Sequence, residues 1–238
     1  MNKIFLIPNT LGDTDINTVI PTQVQKEIKS LRIFFAENIR TARRYLKKID
    51  RTFPINDTTF YEINKHTSQE DINRYFSEIS SDAGVISESG APAIADPGSQ
   101  IVAIAHRKKW QVVPLVGPSS ILLALMASGM NGQNFAFVGY LPKDKVQREK
   151  RIKELESLSK RQNQTQIFIE TPYRNQVLFE SLLGTCHPTT LLCIAKEITT
   201  TEEYIKTLPI IKWQEQKPDI HKKNVIFLID SNSQNSRT

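Results

Sequence analysis

Two hydrophobic periods alternate along the chain and predict its elements. Short β-branched or aromatic runs are separated by longer segments in which apolar residues recur every three to four positions. The short runs are typical of buried strands, and the longer segments are typical of amphipathic helices. Because strands that alternate with helices build βαβ units, the pattern predicts a mostly parallel sheet covered by helices.

The first half of the chain repeats this unit several times. Predicted strands are Lys3–Ile7, Arg32–Ala36, Ala83–Ser87 and Gln111–Leu115, and predicted helices are Pro21–Ser30, Asn38–Ile49, Ser68–Ser81 and Ser99–Lys109. Asn38 is the predicted N-cap of its helix, because a short polar side chain there can accept from exposed N–H groups. These elements predict a three-layer α/β domain.

The periodicity breaks at Gly117 and Pro118, and an apolar helix over Ile121–Ser128 follows, which Gly129 ends. We place a hinge there, so the predicted domains are 1–116 and 117–238. The second half has predicted strands at Phe135–Val138, Thr165–Ile169, Leu191–Ala195, Tyr204–Leu208 and Val225–Ile229, and predicted helices at Lys143–Lys160 and Arg174–Leu183. Strands in succession indicate a mixed sheet in an α+β domain. The polar residues 231–238 are expected to fray.

Composition narrows the class of protein. The chain has 238 residues, 39% of them apolar, which excludes a disordered or collagen-like chain. The longest apolar run, Ile121 to Ala127, is far shorter than the ~20 residues that span a bilayer. Met1 to Ile7 lacks the apolar core of a signal peptide. We therefore expect a cytoplasmic protein with no membrane partner.

Cysteine and histidine usage argues against metal chemistry. Cys186 and Cys193 have no CxxC spacing, and the four histidines form no HExxH motif or Cys/His cluster. We expect neither a disulfide nor a metal site.

Positive charge is concentrated in two stretches. The chain carries 31 Lys and Arg against 25 Asp and Glu, a net charge of +6. Lys29 to Arg51 holds eight basic and two acidic residues, and Lys143 to Arg161 holds eight and four. A helix is predicted to begin near Asn38, and one face of it carries Arg40, Arg43 and Lys47. Such a face either is simply solvated or grips the phosphates of a nucleic acid.

Two loops in the first half are candidates for ligand binding. Pro8 to Asp13 follows the first strand, where α/β sheets bind ligands, but its spacing is neither GxGxxG nor GxxxxGK[ST]. A nucleotide held in the usual Rossmann or P-loop manner is therefore disfavoured. Glu88 to Gly98 is rich in small residues, proline and glycine, so its backbone can approach a ligand closely. Asp96 in this loop fits equally well as a turn and cap residue.

Two later turns add polar groups. Gly117 to Ser120 offers hydroxyl groups before a helix, and Glu170 to Arg174 combines a carboxylate, an aromatic ring and a guanidinium after a strand. Each turn could equally be a plain connection.

Taken together and in order, these motifs resemble the tetrapyrrole methylase superfamily, and within it the ribosomal RNA small subunit methyltransferase I group. The similarity covers nearly the whole chain. It is carried by Leu11-Gly12-Asp13, Ala36-Glu37-Asn38-Ile39-Arg40, Ser89-Gly90-Ala91-Pro92, Asp96-Pro97-Gly98, Gly117-Pro118-Ser119, Gly139-Tyr140-Leu141-Pro142, Glu170-Thr171-Pro172-Tyr173-Arg174 and Ala195-Lys196-Glu197-Ile198-Thr199.

The resemblance implies a two-domain, S-adenosylmethionine-dependent methyltransferase that forms a homodimer and binds its cofactor in a cleft between the domains. By position, it assigns the cofactor contacts to both predicted domains. They are Ser89, Gly90, Ala91, Ile94, Ser119, Ser120, Glu170 and Ile198. The loop Leu11 to Asp13 is similar to the substrate-side loop of the group.

If the acceptor is a ribose hydroxyl of small-subunit ribosomal RNA, some group must take its proton. Glu37, Asp13 and Glu88 are the candidates, and Arg40 could orient a phosphate. The chain departs from the group's pattern in a shorter first loop and at seven positions within the motifs, which are Asn38, Ile39, Glu88, Ser89, Ala91, Thr171 and Tyr173. Two alternatives therefore stay open, which are methylation of a tetrapyrrole-like or corrin-like small molecule and a non-catalytic RNA-binding role.

Overall fold

The computed structural model describes residues 1–64 and 66–231. It divides into two compact units, Met1–Ser119 and Ser120–Thr238. The division between them falls slightly beyond the boundary predicted at 116/117. Most of the tail that is expected to fray, residues 232–238, lies outside the described residues.

Unit 1 is a parallel α/β domain. Its strands are β1 (Lys3–Ile7), β2 (Ile33–Ala36), β3 (Thr59–Glu62), β4 (Ala83–Ile86) and β5 (Gln111–Pro114). Its helices are α1 (Ile16–Val19), α2 (Thr22–Ser30), α3 (Ile39–Ile49), α4 (Gln69–Glu78) and α5 (Gly98–Arg107). The strand order is β3-β2-β4-β1-β5, and every pair is parallel.

Helices cover both faces of this sheet, as predicted. Successive strand residues point to opposite faces, so β2 sends Phe34 into one buried cluster and Phe35 into the other. The Phe34 cluster also contains residues of α1, α2 and α3, and the Phe35 cluster contains residues of α4 and α5. Two apolar layers therefore hold the sheet between two sets of helices.

Capping residues explain where two of the helices begin. The side chain of Asn38 accepts from the N–H groups of Arg40 and Thr41 at 2.9 and 3.3 Å. Ser68 forms a reciprocal capping box with Asp71 at the start of α4. The predicted N-cap at Asn38 is confirmed, and the predicted helices and strands of this half are confirmed with small shifts at their ends.

Unit 2 has a mixed sheet. Its elements are α6 (Ser120–Ser128), β6 (Phe135–Tyr140), α7 (Lys145–Gln162), β7 (Thr165–Ile169), α8 (Asn175–Thr185), β8 (Leu191–Lys196), β9 (Tyr204–Pro209), α9 (Ile210–Trp213) and β10 (Val225–Asp230). The order is β6-β7-β10-β8-β9, with β6 and β7 parallel and the other pairs antiparallel. The predicted α+β character is confirmed.

The core of unit 2 lies between one face of this sheet and helices α7, α8 and α9. Helix α6 contacts strands β8, β9 and β10. The hydroxyl of Thr207 in β9 donates to the carbonyl of Ser128 at 2.8 Å. Gly129 follows α6 with φ +71°, the left-handed conformation that the predicted helix end requires.

Some features were not predicted. Strand β3, helix α1 and helix α9 are additions to the sequence-based elements.

Within the described residues, none of the helices is both long enough and apolar enough to span a bilayer. Cys186 and Cys193 are both buried and unbonded.

Candidate functional site

The loops after β1 and β4 are joined by Asn9, a buried residue that the sequence analysis did not single out. Its N–H donates to the carbonyl of Gly90 at 2.9 Å, and its side-chain amide donates to the carbonyls of Ser87 and Glu88 at 3.0 and 3.2 Å. The only sequence signal for Asn9 is a polar residue two positions after a buried strand. These bonds fix the start of the small-residue loop against the first loop.

Gly90 lies where three loops meet. Its carbonyl also accepts from the Ser87 hydroxyl at 2.7 Å, and its φ of +66° is in the left-handed region. A Cβ on Gly90 would lie 3.0 Å from Cδ2 of Leu11 and 3.4 Å from the carbonyl oxygen of Pro118. Only glycine fits without strain, so the loop needs this residue for its shape.

Asp96 shapes the same loop from within. Its Oδ1 accepts from the N–H groups of Ala93 and Gly98, both at 2.8 Å. Burial raises the pKa of Asp96, and the two N–H donors oppose that shift. Ala93 and Ala95 have φ of 67° and 62°, which costs a non-glycine residue about 1–2 kcal/mol each. Asp96 is therefore the turn and cap residue that holds a strained loop together.

The predicted cofactor residues of this loop differ in exposure. Gly90 is buried, Ala91 is half-buried, and Ser89 and Ile94 are exposed. The side chain of Ile94 is 49% exposed, although it is large and apolar. The loop over residues 88–98, which Asn9 and Asp96 hold in shape, is called the Gly90 frame here. It presents the hydroxyl of Ser89 and the apolar side chain of Ile94 to solvent.

Two carboxylates lie beside this frame. Glu37 follows β2 and Glu88 follows β4, and these strands are neighbours in the sheet. Burial is the main cause that raises the pKa of Glu88, and the charge of Glu37 adds to it. A hydrogen bond with the Thr41 side chain opposes the shift. The structure therefore brings Glu37 and Glu88 together, and it gives Glu88 a higher proton affinity than an ordinary glutamate.

The other two predicted catalytic residues lie differently. Arg40 is exposed in the first turn of α3, close in sequence to Glu37. Asp13 is exposed, and its carboxylate lies 3.5 Å from Nζ of Lys48. Lys48 is in the last turn of α3, so the ion pair draws Asp13 toward the helix end opposite to Arg40.

In unit 2, Glu170 is buried at the end of β7. Its Oε1 accepts from the N–H of Thr171 at 2.6 Å, and its Oε2 forms an ion pair with Arg174. Its side chain is only 2% exposed. Both carboxylate oxygens thus have partners within the turn, which suits a role in positioning Arg174.

Ile198 is buried in a tight turn after β8. Its neighbours Glu197 and Thr199 have φ of 48° and 71°. The N–H of Thr199 donates to Glu203 Oε2 at 2.7 Å, but the buried Thr199 hydroxyl has no hydrogen-bond partner among the described residues. A buried polar atom without a partner costs about 1–3 kcal/mol, so this hydroxyl suits a polar group of a bound ligand.

Ser119 and Ser120 are half-buried, and the division between the units falls between them. Ser120 is the first residue of α6, one residue earlier than predicted.

The residues present fit an adenosyl cofactor better than a metal ion. Within 1–64 and 66–231, no group of three His, Cys, Asp or Glu side chains is placed to hold a metal. In unit 1, the exposed Ser89 and Ile94 offer a ligand one polar and one apolar side chain. In unit 2, the Thr199 hydroxyl offers a polar group that has no partner among the described residues.

Comparison with known sequences finds no matching family model. The chain is similar to the ribosomal RNA small subunit methyltransferase I of Bacillus subtilis, with 32% identity over 174 residues, which is 73% of this chain and 56% of that protein. It is 28% identical to the protein of the same name from Vibrio cholerae over 78% of this chain and 65% of that one. The chain thus spans less than two thirds of the length of either relative.

Two solved structures share the fold. The methyltransferase CobJ has a TM-score of 0.62 and 16% identity, covering 97% of this chain and 94% of its own. Uroporphyrin-III C-methyl transferase from Thermus thermophilus, crystallised with S-adenyl homocysteine, has a TM-score of 0.55 and 14% identity, covering 97% of each chain. These likenesses confirm the predicted two-domain fold.

Proposed function

We propose that the chain belongs to the tetrapyrrole methylase superfamily and is an S-adenosylmethionine-dependent methyltransferase whose acceptor is a ribose 2'-hydroxyl of small-subunit ribosomal RNA. The observation that carries the proposal is the frame around Gly90. Three loops of unit 1 converge there and leave Ser89 and Ile94 exposed. Such a preformed loop binds a ligand with little loss of conformational entropy.

The proposed cofactor contacts in unit 1 are Ser89, Gly90, Ala91, Ile94 and Ser119. In unit 2 they are Ser120 and Ile198, with the hydroxyl of Thr199 as an added contact. Glu170 acts through Arg174, because its own oxygens already have partners.

When bound, S-adenosylmethionine supplies a methyl group on a positively charged sulfur, which makes metal assistance unnecessary. S-adenosylmethionine would supply the methyl group for the ribose oxygen, and the chain would have to supply a base that accepts the proton of the ribose hydroxyl. Glu88 fits that role because its raised pKa and the nearby charge of Glu37 favour accepting a proton.

Glu37, Asp13 and Arg40 complete the proposed catalytic set. The charge of Glu37 adds to the effect of burial, which is the main cause of the raised pKa of Glu88. Arg40 is exposed and forms no ion pair with a described carboxylate, so it can orient an RNA phosphate. Asp13 contributes through its ion pair with Lys48, which orients the first loop on α3.

A small-molecule acceptor is not favoured. The solved structure that is named as a uroporphyrin-III C-methyl transferase is only 14% identical to this chain and shares the fold alone. The sequence relatives described above are named for ribosomal RNA.

We further propose a cytoplasmic homodimer. Leu122 and Met126 on α6 are 49% and 78% exposed, and a second copy of the chain would cover them. Light scattering should give twice the chain mass for the wild type and a monomer for Leu122→Glu combined with Met126→Glu.

Calorimetry with S-adenosylhomocysteine tests the cofactor site. Gly90→Val places a branched side chain against Leu11 and should abolish binding. Gly129→Val is the matched control, since Gly129 has a similar φ of +71° but nothing within 4 Å of its would-be Cβ. Unchanged affinity in Gly90→Val, or equal loss in both variants, would contradict the site.

A further inference from the structure

A groove of about 640 Å³ runs beside the C-terminal half of α3. Arg43, Arg44 and Lys47 line one side, and residues 52–57 line the other. Asp57 is the one carboxylate among these lining residues. Three cations against one anion make the groove attractive to a negatively charged ligand.

The charges of the groove cations are not neutralised by ion pairs with described carboxylates. Arg43, Arg44 and Lys47 are exposed, and none forms an ion pair with a carboxylate in the described part of the chain. Two acids near the groove, Asp50 and Asp13, are paired with lysines outside it. Oδ2 of Asp50 lies 3.4 Å from Nζ of Lys29, and Oδ1 of Asp13 lies 3.5 Å from Nζ of Lys48.

Two contacts hold these side chains in place. The guanidinium of Arg43 lies 5.2 Å from the centre of the Phe60 ring in β3. Nζ of Lys47 donates to the carbonyl of Arg51 at 2.9 Å and keeps two further protons for a ligand. A partly ordered cation loses less entropy when it binds a phosphate.

The groove lies along the helix from the proposed catalytic residues. Helix α3 starts after Asn38, next to Glu37. At about 1.5 Å rise per residue, Arg43 lies about 8 Å and Lys47 about 14 Å along the axis from Asn38. With the acceptor hydroxyl beside Glu37, as the proposed function requires, that separation puts the groove within reach of neighbouring nucleotides of the same RNA.

We propose that this groove binds the phosphate backbone of the RNA next to the acceptor nucleotide. The inference rests on the proposed function for the identity of the polyanion. Its volume exceeds what a single phosphate ion needs, and its cations extend over a full helix turn, which fits a chain of phosphates. The half-buried Pro54 and Ile55 add an apolar surface for a ribose or base.

The test is the salt dependence of binding to a small-subunit ribosomal RNA transcript, measured by fluorescence anisotropy between about 50 and 200 mM salt. Combined Arg43→Ala, Arg44→Ala and Lys47→Ala should reduce the slope of log affinity against log salt by about two to three, since each lost phosphate contact removes roughly 0.7–0.9.

The matched control combines Lys150→Ala, Lys153→Ala and Lys160→Ala on α7. It removes the same charge from exposed helix positions. The slope of this control should change by less than one. An unchanged slope in the α3 variant, or an equal loss in the control, would overturn the proposal.

Asp57→Asn supplies a test in the opposite direction. It removes the repelling charge from the groove, so RNA affinity at low salt should rise several-fold. This variant also decides the question if the α3 variant fails to fold, as judged by circular dichroism, and unchanged or weaker RNA binding would then overturn the proposal.

The binding of S-adenosylhomocysteine separates this inference from the proposed function. The α3 variant should keep wild-type affinity for it. If the wild type does not bind S-adenosylhomocysteine and does not transfer methyl groups, the proposed function is wrong, whatever the salt slopes show. If the wild type shows both activities and the α3 variant has the same salt slope as the wild type, only the proposed role of the groove is wrong.

Discussion

Helices α3 and α7 carry similar positive charge and use it in different ways. Helix α3 has five basic and no acidic residues, whereas α7 has seven and three. In α7, Lys145 pairs with Glu149 at 3.8 Å and Arg151 pairs with Glu154 at 3.2 Å. The arginines of α3 have no such partners among the described residues.

The difference separates structural charge from charge available to a ligand. Arg148 of α7 is buried, and its guanidinium donates to the hydroxyl of Ser181 at 2.9 Å and to the carbonyl of Lys143 at 2.7 Å. Arg44 of α3 is exposed and lines the groove. A count of basic residues does not distinguish these two cases, but their partners do.

The largest expected effect on stability comes from the buried arginine. Arg148→Ala should reduce the free energy of unfolding by about 1–3 kcal/mol, because it leaves buried acceptors without a donor. Arg44→Ala should change it by less than about 0.5 kcal/mol. Urea unfolding of both variants measures the difference. Similar losses in the two would break the distinction between the helices.

Substitution of the N-cap residues of α3 and α7 should reduce stability by a smaller amount, and only the α3 substitution should also affect function. Asn38 accepts from Arg40 and Thr41 N–H groups, and Asp144 accepts from the N–H of Gln147 at 2.9 Å. Asn38→Ala and Asp144→Ala should each cost about 1 kcal/mol in thermal unfolding.

Only Asn38→Ala should also lower the rate of methyl transfer, because Asn38 lies between Glu37 and Arg40. Assays well below the unfolding temperature keep the two effects apart. Equal rates in the two cap variants would place the chemistry away from the start of α3.

The smallest expected effects on stability come from two charge-reversing substitutions, one on each helix, which should change stability in opposite directions. Arg44→Glu lies four residues from both Arg40 and Lys48, so each new pair should add about 0.2–0.5 kcal/mol of stability. Glu149→Lys lies four residues from Lys145 and Lys153 and should lose a similar amount. Scanning calorimetry at low salt checks the opposite signs, and the same sign in both variants would contradict the account.

Local signals explain what the sequence predicted well. Asn38 marks the start of α3 and Gly129 follows the end of α6, and both act within a few residues of themselves. The Gly90 loop was recognisable because small residues and proline cluster there. The pairing of Asn9 with Gly90 could not be predicted, since it joins residues far apart in sequence.

Strand β3 and the burial of Arg148 were missed for the same reason. β3 is a short edge strand with no buried residue, defined by its register with β2 from Ile33 opposite Thr59 onward. Arg148 stands in a run of charged residues and is buried only because Ser181 of α8 lies against it. Long-range partners decide both features, and hydrophobic periodicity does not contain them.

The most direct test of the central claim is the transfer of labelled methyl groups from S-adenosylmethionine to small-subunit ribosomal RNA. The RNA is then digested to nucleosides, and the labelled product is identified. The account predicts label in one 2'-O-methyl nucleoside, formed by the wild type and lost in Gly90→Val. Label on a base, or label only in a small-molecule extract, would contradict it.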